Sequence, residues 1–590
     1  MTEQRLAGGR THMCGSLRAG DAGGRVVLAG WVARRRDHGG VVFLDLRDRE
    51  GPVQVVAHPD DAPEAFRAAS EAKLESVVLV RGEVRLRPEG TANAGLATGE
   101  VEVAAGDIEV LSMSDTPPFP VEDDVQVEEA LRLTYRYLDL RRPEMTGVLR
   151  LRHRMFGTVR QFFDERGFVD VETPTLTKST PEGARDFLVP SRLQRGKVYA
   201  LPQSPQMFKQ LLMVAGLDRY YQIVRCMRDE DLRADRHWEF TQLDLEMSFA
   251  SEEDVFEVLE SLFARVWREY LGVEIRVPFP RLTYDESVAR FGTDKPDTRF
   301  GMELADVTTA FGATAFRAFA SAIERGGCVA GFAAPGAGTW SRKELDALVP
   351  EATARGATGL VWIALEGGQA RSPVLSHISP EEIAAVSEAT GAGDGDLVLL
   401  VADQPGRVAV ALDGLRRLLA ARLGLVPERR WDFLWITEFP VFEWSEEEAR
   451  WVAKHHPFTS PVSDDLEPET ARARAYDIVL NGIELGSGSV RIHRPDLQRR
   501  VFEVMGITGE EATDKFGHML EAFRFGVPPH AGFAFGLDRV LMLLSGKENI
   551  RDVIAFPKTS SGSELLTGAP SEPSQEQLDQ LGMRFGPLGR

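Results

Sequence analysis

Cysteine is scarce. Three residues in 590, Cys14, Cys226 and Cys328, are too few and too scattered for a disulfide framework, and no CxxC pair offers a thiolate cage for zinc. Long apolar runs are missing too. LLMVAGL (211–217) is typical of the longest, far short of the roughly 18 residues of a membrane span, so no membrane partner is expected. The opening MTEQRLAGGRTHMCG has no apolar stretch of the signal-peptide kind, so a cytoplasmic protein is expected. Neither GxxxxGK[ST] nor GxGxxG occurs, which removes the usual P-loop and Rossmann signals. Positive charge is in deficit: 69 Lys+Arg against 90 Asp+Glu give a net −21. A polyanionic partner therefore needs local basic ground rather than a global field. What remains is an ordinary globular composition, 43% hydrophobic and 27% charged, in a chain long enough for about three to five domains.

Five short β-runs lie within residues 24–112, among them VVLAGWVARRR (26–36), VVFLDLRD (41–48) and SVVLVRGEVRLR (76–87). Their period-2 alternation and charged or Gly turns predict a small closed barrel, for which the five-stranded OB-fold is the natural candidate. Such barrels bind single-stranded nucleic acid on a basic face with an interleaved aromatic. Arg34, Arg35, Arg36 and Phe43 fit that description, and equally fit a solvated strand end. The organisation expected is an OB domain (1–111), a Pro- and acid-rich hinge (112–140), two halves of a larger α+β domain (141–290 and 416–558), an α/β domain inserted between them (291–415), and a C-terminal extension (559–590). A helix is predicted from Leu151 through Phe163, stopped near Gly167, in a stretch (141–160) with six Arg and one acid.

Three constellations carry chemistry. In YYQIVRCMRDEDLRADRHWEFTQLDLEMSF (220–249), two β-runs flank a charged connection. Phe240, Gln242, Asp244 and Glu246 share one face of the second run, which is costly for an inner strand unless that row lines a site. Arg228 ends the first run with a fork suited to phosphate or carboxylate. A surface hairpin laced with salt bridges is the alternative. In AYDIVLNGIELGSGSVRIH (475–493), Asn481-Gly482 is a two-residue hairpin turn. Its register pairs Leu480 with Ile483, Val479 with Glu484 and Asp477 with Gly486. Asp477 and Glu484 then share a face with Gly486 and Gly488, spaced to hold Mg²⁺ beside a flat ligand. Ser487 falls on the opposite face, and Arg491 joins the acids only through a β-bulge. A structural hairpin with an incidental acid pair is the other reading. In PPHAGFAFGLDRVLMLLSG (528–546), Gly536 opens a helix with Arg539 in its first turn. A cation opposes the helix dipole there unless an anion is near, so Arg539 marks either phosphate contact or mere exposure. Gln206 and Lys209 share a face of a short helix after Ser204-Pro205, Glu182 sits in a Pro/Gly loop suited to a lid, and the adjacent His455-His456 point apart and suggest no zinc.

GFVDVETPTL (167–176), MRDE (227–230) and GLDR (536–539) resemble, in this order, motifs 1–3 of the class II aminoacyl-tRNA synthetases. GWVARRRDHGGVVFLDLRD, TPEGARDFLVP, QSPQMFKQLLMVAG, RDEDLRADR and HHPFTSP narrow the resemblance to bacterial-type aspartyl-tRNA synthetases of subclass b, over essentially the whole chain. The resemblance implies an anticodon-binding OB domain, an antiparallel catalytic sheet flanked by helices, a bacterial insertion, and a homodimer with motif 1 at the interface. It implies aspartyl-adenylate formation from ATP and transfer to the tRNA 3′-terminal ribose, with Arg228, Arg539 and Glu484 as catalytic residues. ATP would meet Arg228, Asp229, Glu230, His237, Glu484, Gly536, Leu537, Asp538 and Arg539, while Asp477 and Glu484 hold Mg²⁺. Aspartate would meet Glu182, Gln206, Lys209, Arg228, Asp244, His455 and Arg491. Lys209 and Arg491 would grip its side chain as a cationic pair that asparagine leaves uncompensated. Arg36, Phe43, Gln54 and Glu102 match anticodon-reading positions.

Three departures accompany the resemblance. His237 and Trp238 replace a Gln-Pro in the motif 2 loop, Ser487 replaces a Gly in a GGGS run, and Ala531 replaces a Gly in motif 3. His38 and Gly90 match relatives that also charge tRNA(Asn), which implies relaxed specificity and, as a partner, a tRNA-dependent amidotransferase. A strictly tRNA(Asp)-specific enzyme is the alternative. An asparagine or lysine ligase would lack the QSPQ-to-Lys209 and Arg491 arrangement, and a non-catalytic paralogue would have lost the motif arginines.

Overall fold

Alternation in the first hundred residues closes a barrel. In the computed structural model, which describes residues 9–179, 184–232 and 234–586, strands β1 (Arg25–His38), β2 (Val41–Asp48), β3 (Gly51–Ala57), β4 (Val77–Leu86) and β5 (Val101–Ser112) join in the order β1-β2-β3-β5-β4. Alternate residues, including Val26, Leu28, Leu44, Leu46, Val53, Val55, Val78, Val80, Val101 and Val103, are buried inside, while the end of β1 from Ala33 to His38 leaves the core. The barrel anchors one of two compact units, which also takes in the hinge and residues 541–578. In the hinge, helices Glu129–Thr134 and Arg136–Asp139 are pinned by Arg136, which donates to the carbonyls of Ile554 and Ala555 at 2.9 Å each.

The second unit is built on β6 (Val169–Asp170), β9 (Arg219–Met227), β10 (Glu239–Ser248), β11 (Arg281–Thr283), β17 (Phe433–Thr437), β20 (Ala475–Leu480), β21 (Ile483–Val490) and β22 (His530–Gly536). These form one eight-stranded sheet in the order β11-β17-β20-β21-β22-β10-β9-β6. The inner pairings are antiparallel, and β11 and β6 join the edges in parallel. Two small hairpins, β7–β8 (Leu188–Pro190, Val198–Ala200) and β18–β19 (Phe442–Ser445, Arg450–Ala453), lie outside it. Helix Glu252–Leu271 covers one face with aromatics: Phe256 stacks on Trp435 at 4.1 Å, and Phe263 lies 5.2 Å from Phe535. Leu243, Leu245 and Met247 are buried, and the alternating residues of β10 point the other way.

The stretch expected as an insertion holds a further antiparallel sheet, β12 (Ala305–Asp306), β13 (Cys328–Ala334), β14 (Val361–Glu366), β15 (Gln369–Arg371) and β16 (Leu397–Asp403), in the order β12-β13-β16-β14-β15. Both faces are buried. Leu397, Leu399 and Val401 pack on one side, Val398 and Leu400 on the other, which explains the unbroken LVLLV of the sequence. The helix that follows this sheet runs from Pro405 to Arg422. Among the described residues no helix is long and apolar enough to cross a membrane.

Candidate functional site

Strand register assembles the site. Asp244 lies opposite Ala534, Ala534 opposite Ser487, and Ser487 opposite Asp477, so one row crosses four strands. This corrects the hairpin register expected from the sequence. The Asn481-Gly482 turn pairs Leu480 with Ile483 and Val479 with Glu484 as anticipated. A bulge at Leu485 then pairs Gly486 with Ile478 and Ser487 with Asp477. Beyond the bulge, parity inverts. Ser487 joins the acid face and hydrogen-bonds Asp477, while Ser489 and Arg491 follow on the same side. Gly486 and Gly488 do not face a ligand; they make room for the neighbouring strands. A Cβ on Gly486 would lie 2.3 Å from the Ala534 carbonyl, and one on Gly488 2.4 Å from that of Gly532 and 2.6 Å from Phe533 and Tyr476. Ala531 pairs with Met247 and Val490 and is wholly buried, so that departure lies in the core.

Beside this row lies a buried charge cluster. Lys209, from helix Gln206–Val214, is 1% exposed and donates to Asp244 at 3.1 Å, with Glu246 at 3.5 Å. Arg491, 2% exposed, holds Glu246 bidentately at 2.9 and 3.1 Å. It also donates to Ser489 Oγ at 2.6 Å and to His456 Nε2. Four of its five N–H donors are thus engaged by protein atoms. Burial pushes the Glu246 carboxyl up, but Arg491 and Lys209 outweigh it and hold it below the ordinary range. Burial pushes Asp244 up against the pull of Lys209. Burial, reinforced by Arg491, drives His456 well below its usual value, so a neutral ring accepts from the guanidinium.

Lys209 and Arg491, expected to grip the substrate side chain, are thus also paired within the protein. Two acids already offset the two cations, because a buried charge without a counter-charge is prohibitively costly in the free protein. Glu246 was visible on the polar face of β10 but not assigned to the site. It also explains Gly532, where a Cβ would lie 1.8 Å from its carboxylate.

Unsatisfied atoms mark where a polar ligand fits. Among the described residues, Arg228 Nε, Asp244 Oδ2 and His455 Nδ1 are buried without hydrogen-bond partners. Arg228 lies over the Phe240 ring at 5.2 Å. Its main-chain N–H donates to the Trp238 carbonyl, and the Trp238 indole donates to the Glu230 carbonyl at 2.7 Å, so Trp238 helps close the loop between β9 and β10. His237 is buried, and its Nε2 accepts the Lys558 N–H at 2.9 Å. The Asp229 carboxylate lies 3.5 Å from Arg185 Nε, and its N–H donates to the Arg185 carbonyl at 3.0 Å. Gln206 donates to Gln210 at 3.1 Å, which in turn meets His530 at 3.1 Å. Glu182 lies outside the described residues.

At the far end of the row, His455 Nε2 sits 3.3 Å from Asp477. Lys295, unassigned from the sequence, pairs with Glu484 at 2.6 Å. Burial pushes Asp477 up, whereas Lys295 overcomes burial at Glu484 and holds it low. Two carboxylates are hard oxygen donors of the kind Mg²⁺ takes, so Asp477 and Glu484 would suit it. Gly536 and Leu537 join β22 to helix Leu537–Ser545. Asp538 there accepts the Thr241 N–H at 2.6 Å, pinning the helix start, and Arg539 donates to the Glu484 carbonyl.

On the barrel, four expected residues form one outward patch. Arg36 lies opposite Phe43, and Gln54 opposite Asp45 and Glu102. Arg36 donates to Asp45 at 2.7 Å and to Gln54 at 3.3 Å, and Gln54 donates to Glu102 at 2.8 Å. Asp45, between them, was not anticipated. The His38 ring meets Phe43 edge-on at 6.3 Å. Gly90 has φ +79° in an exposed turn, which favours glycine on backbone grounds alone.

An antiparallel sheet with arginines at its charged end, preceded in the chain by a closed five-stranded barrel, defines a class II tRNA synthetase with an OB-fold domain. The family described as tRNA synthetases class II (D, K and N) matches residues 128–560, and the OB-fold nucleic acid binding domain of the tRNA_anti-codon family matches 26–111. Among solved structures, asparaginyl-tRNA synthetase from Pyrococcus horikoshii superposes with a TM-score of 0.58 at 20% identity, covering 93% of this chain and 98% of that one. The chain belongs to this class II D, K and N family. It is 55% identical to the aspartate–tRNA(Asp/Asn) ligase of Moorella thermoacetica, over 98% of this chain and 96% of the relative. It is 53% identical to the ligase of the same name from Symbiobacterium thermophilum, over 98% and 99%.

Proposed function

We propose that this protein joins L-aspartate to tRNA in two ATP-dependent steps and accepts both tRNA(Asp) and tRNA(Asn). The observation that carries the reading is the buried Lys209–Asp244–Glu246–Arg491 cluster, a preformed site for a small zwitterion bearing a second carboxylate. Likeness to ligases named for tRNA(Asp/Asn) supports the choice of amino acid and tRNAs.

In this reading the aspartate α-carboxylate attacks the α-phosphorus of ATP, the bond to the β-phosphate oxygen breaks, and pyrophosphate leaves. Arg228 meets the α-phosphate, and Arg539 the far phosphate, so charge that develops in transit finds fixed donors. Asp244, Gln206 and Glu182 would serve the substrate ammonium or orient Lys209, Lys209 and Arg491 would take the side-chain carboxylate, and His455 would close the pocket. Asp477 and Glu484 would hold Mg²⁺, which neutralises phosphate charge when bound. A tRNA ribose hydroxyl then attacks the mixed anhydride, and AMP leaves.

Arg36, Phe43, Gln54 and Glu102 would read the anticodon. The contact of His38 with Phe43 supports a role for His38 in tolerance of tRNA(Asn). Aspartyl-tRNA(Asn) would require an amidotransferase as consumer. Val169, on the edge strand β6, and Leu176 further along the motif 1 stretch are exposed apolar residues that support a homodimer through motif 1; such an enzyme would work in the cytoplasm.

Charging of purified transcripts with labelled aspartate tests the proposal. Aspartate on both tRNAs is expected. Failure on tRNA(Asn) alone leaves the strictly tRNA(Asp)-specific enzyme, and pyrophosphate exchange dependent on asparagine or lysine refutes the choice of aspartate.

A further inference from the structure

Lys295 belongs to none of the motifs that define the site, yet its ammonium lies 2.6 Å from Glu484 Oε2. Arg539 donates to the main-chain carbonyl of the same Glu484. One residue thus gathers a cation from the helix after β22 and another from the loop that leads into the insertion.

That loop is held from two sides. Arg416, on the insertion helix Pro405–Arg422, is wholly buried and donates to the carbonyls of Asp297 at 2.7 Å, Met302 at 3.1 Å and Phe300 at 3.2 Å. Its guanidinium also lies over Phe300 at 4.4 Å. Asp297 binds Arg299 at 2.6 Å and packs against the hairpin turn, where a Cβ on Gly482 would lie 3.3 Å from its own. The backbone that carries Lys295 is therefore fixed to the hairpin that carries Asp477 and Glu484. The lysine side chain itself is 36% exposed. A point charge on a flexible stem, anchored at its base and open at its tip, suits a mobile anion better than a fixed structural pair.

We propose that Lys295 is a nucleotide-binding residue that meets the β- and γ-phosphates of ATP, and hence the pyrophosphate product. The inference rests on the ligase reading above and extends it, because it gives the insertion a part in the reaction: its entry loop completes the polyphosphate end of the site. With Glu484 committed to the metal ion it would hold, the Lys295 ammonium would pair with phosphate charge beside it.

Calorimetric binding of ATP and of AMP, in magnesium buffer without aspartate, separates the roles. The wild-type chain is expected to bind ATP more tightly than AMP. Lys295→Met should weaken ATP about tenfold and leave AMP unchanged, and Lys295→Arg should retain most of the ATP affinity. Unchanged AMP affinity also certifies that the variant is folded. If Lys295→Met leaves the ATP-to-AMP ratio as in wild type, or tightens ATP, Lys295 is only a counter-ion of Glu484 and the proposal is overturned while the ligase reading stands. A wild-type chain that binds neither nucleotide overturns both.

Discussion

Replacing Glu246 with Gln keeps the shape of the buried cluster and removes one charge. Glu246 is fully buried between Arg491, held at 2.9 and 3.1 Å, and Lys209 at 3.5 Å. After Glu246→Gln, Asp244 alone offsets two cations that are 1% and 2% exposed. Orphaning a buried charge costs about 3–5 kcal/mol. The Gln oxygen still accepts one guanidinium N–H, so the cost should fall near the lower end, about 3 kcal/mol, or roughly a hundredfold in the local folding equilibrium. Trp435 and Trp267 are fully buried in the same unit and report its unfolding in urea by near-ultraviolet circular dichroism. The destabilised variant should then recover with aspartate, whose side-chain carboxylate restores the missing charge, and much less with asparagine. The aspartate-induced shift in midpoint should exceed that of wild type. A variant as stable as wild type without ligand, or one rescued equally by both amino acids, would refute the reasoning.

Two other outcomes follow from the same sheet. Gly488→Ala places a methyl 2.4 Å from the Gly532 carbonyl and 2.6 Å from Phe533 and Tyr476, and should cost about 3 kcal/mol in urea unfolding, as overpacking of a closed core does; a neutral result would mean that β21 can shift freely. His456 is held well below 6.5 by burial and by Arg491, so the unfolded chain takes up a proton near pH 6.5 that the folded chain refuses. Its contribution is therefore intact above pH 6.5 and is lost as pH falls toward the folded value, at up to about 1.4 kcal/mol per pH unit. His456→Asn, which can still accept from Arg491, should reduce that slope by about one proton in unfolding curves taken from pH 8 to 5; an unchanged slope would place the titration elsewhere.

Much of the site was legible because sheets write their faces into sequence with period 2. Gln242, Asp244 and Glu246 read as one polar row, and Asn481-Gly482 fixed the first two pairs of the hairpin. The same period misplaced everything beyond Leu485, since a single bulged residue exchanges the faces. Nothing in the LGSGS run marks Leu485 as the bulged residue; only the partners on β20 and β22 decide it. Neutralisation of Lys209 and Arg491 was hidden for another reason. Which acid faces which cation depends on three elements brought together by the sheet, not on spacing within any one of them. Lys295 gave no signal at all, because its partner lies 189 positions away and no local pattern marks the pair.

The deficit of positive charge takes a sharper meaning from the pairings. Of the three barrel arginines, Arg35 is spent on the Ser70 and Ala72 carbonyls at the end of helix Pro63–Glu71. Arg34 is 61% exposed and only loosely paired with Glu122 at 3.7 Å, a contact worth little in water, so it stays open to a phosphate. Arg36 is 40% exposed and ties the Phe43 patch together through Asp45 and Gln54. The Arg-rich stretch at 141–160 is largely committed as well. Arg141 meets Glu75 at 3.1 Å and the Trp31 ring at 5.0 Å, Arg142 meets Glu144 at 2.8 Å, and Arg150 meets Glu50 at 2.9 Å. Clustered arginines in a sequence therefore overstate the ground available to a polyanion. Where so few of these arginines remain uncommitted, counter-ion release would supply less of the binding, and recognition at the Phe43 patch, proposed above as the anticodon reader, would lean on stacking and base-edge hydrogen bonds. That division of labour lets a chain with a net −21 bind nucleic acid and still discriminate among its substrates.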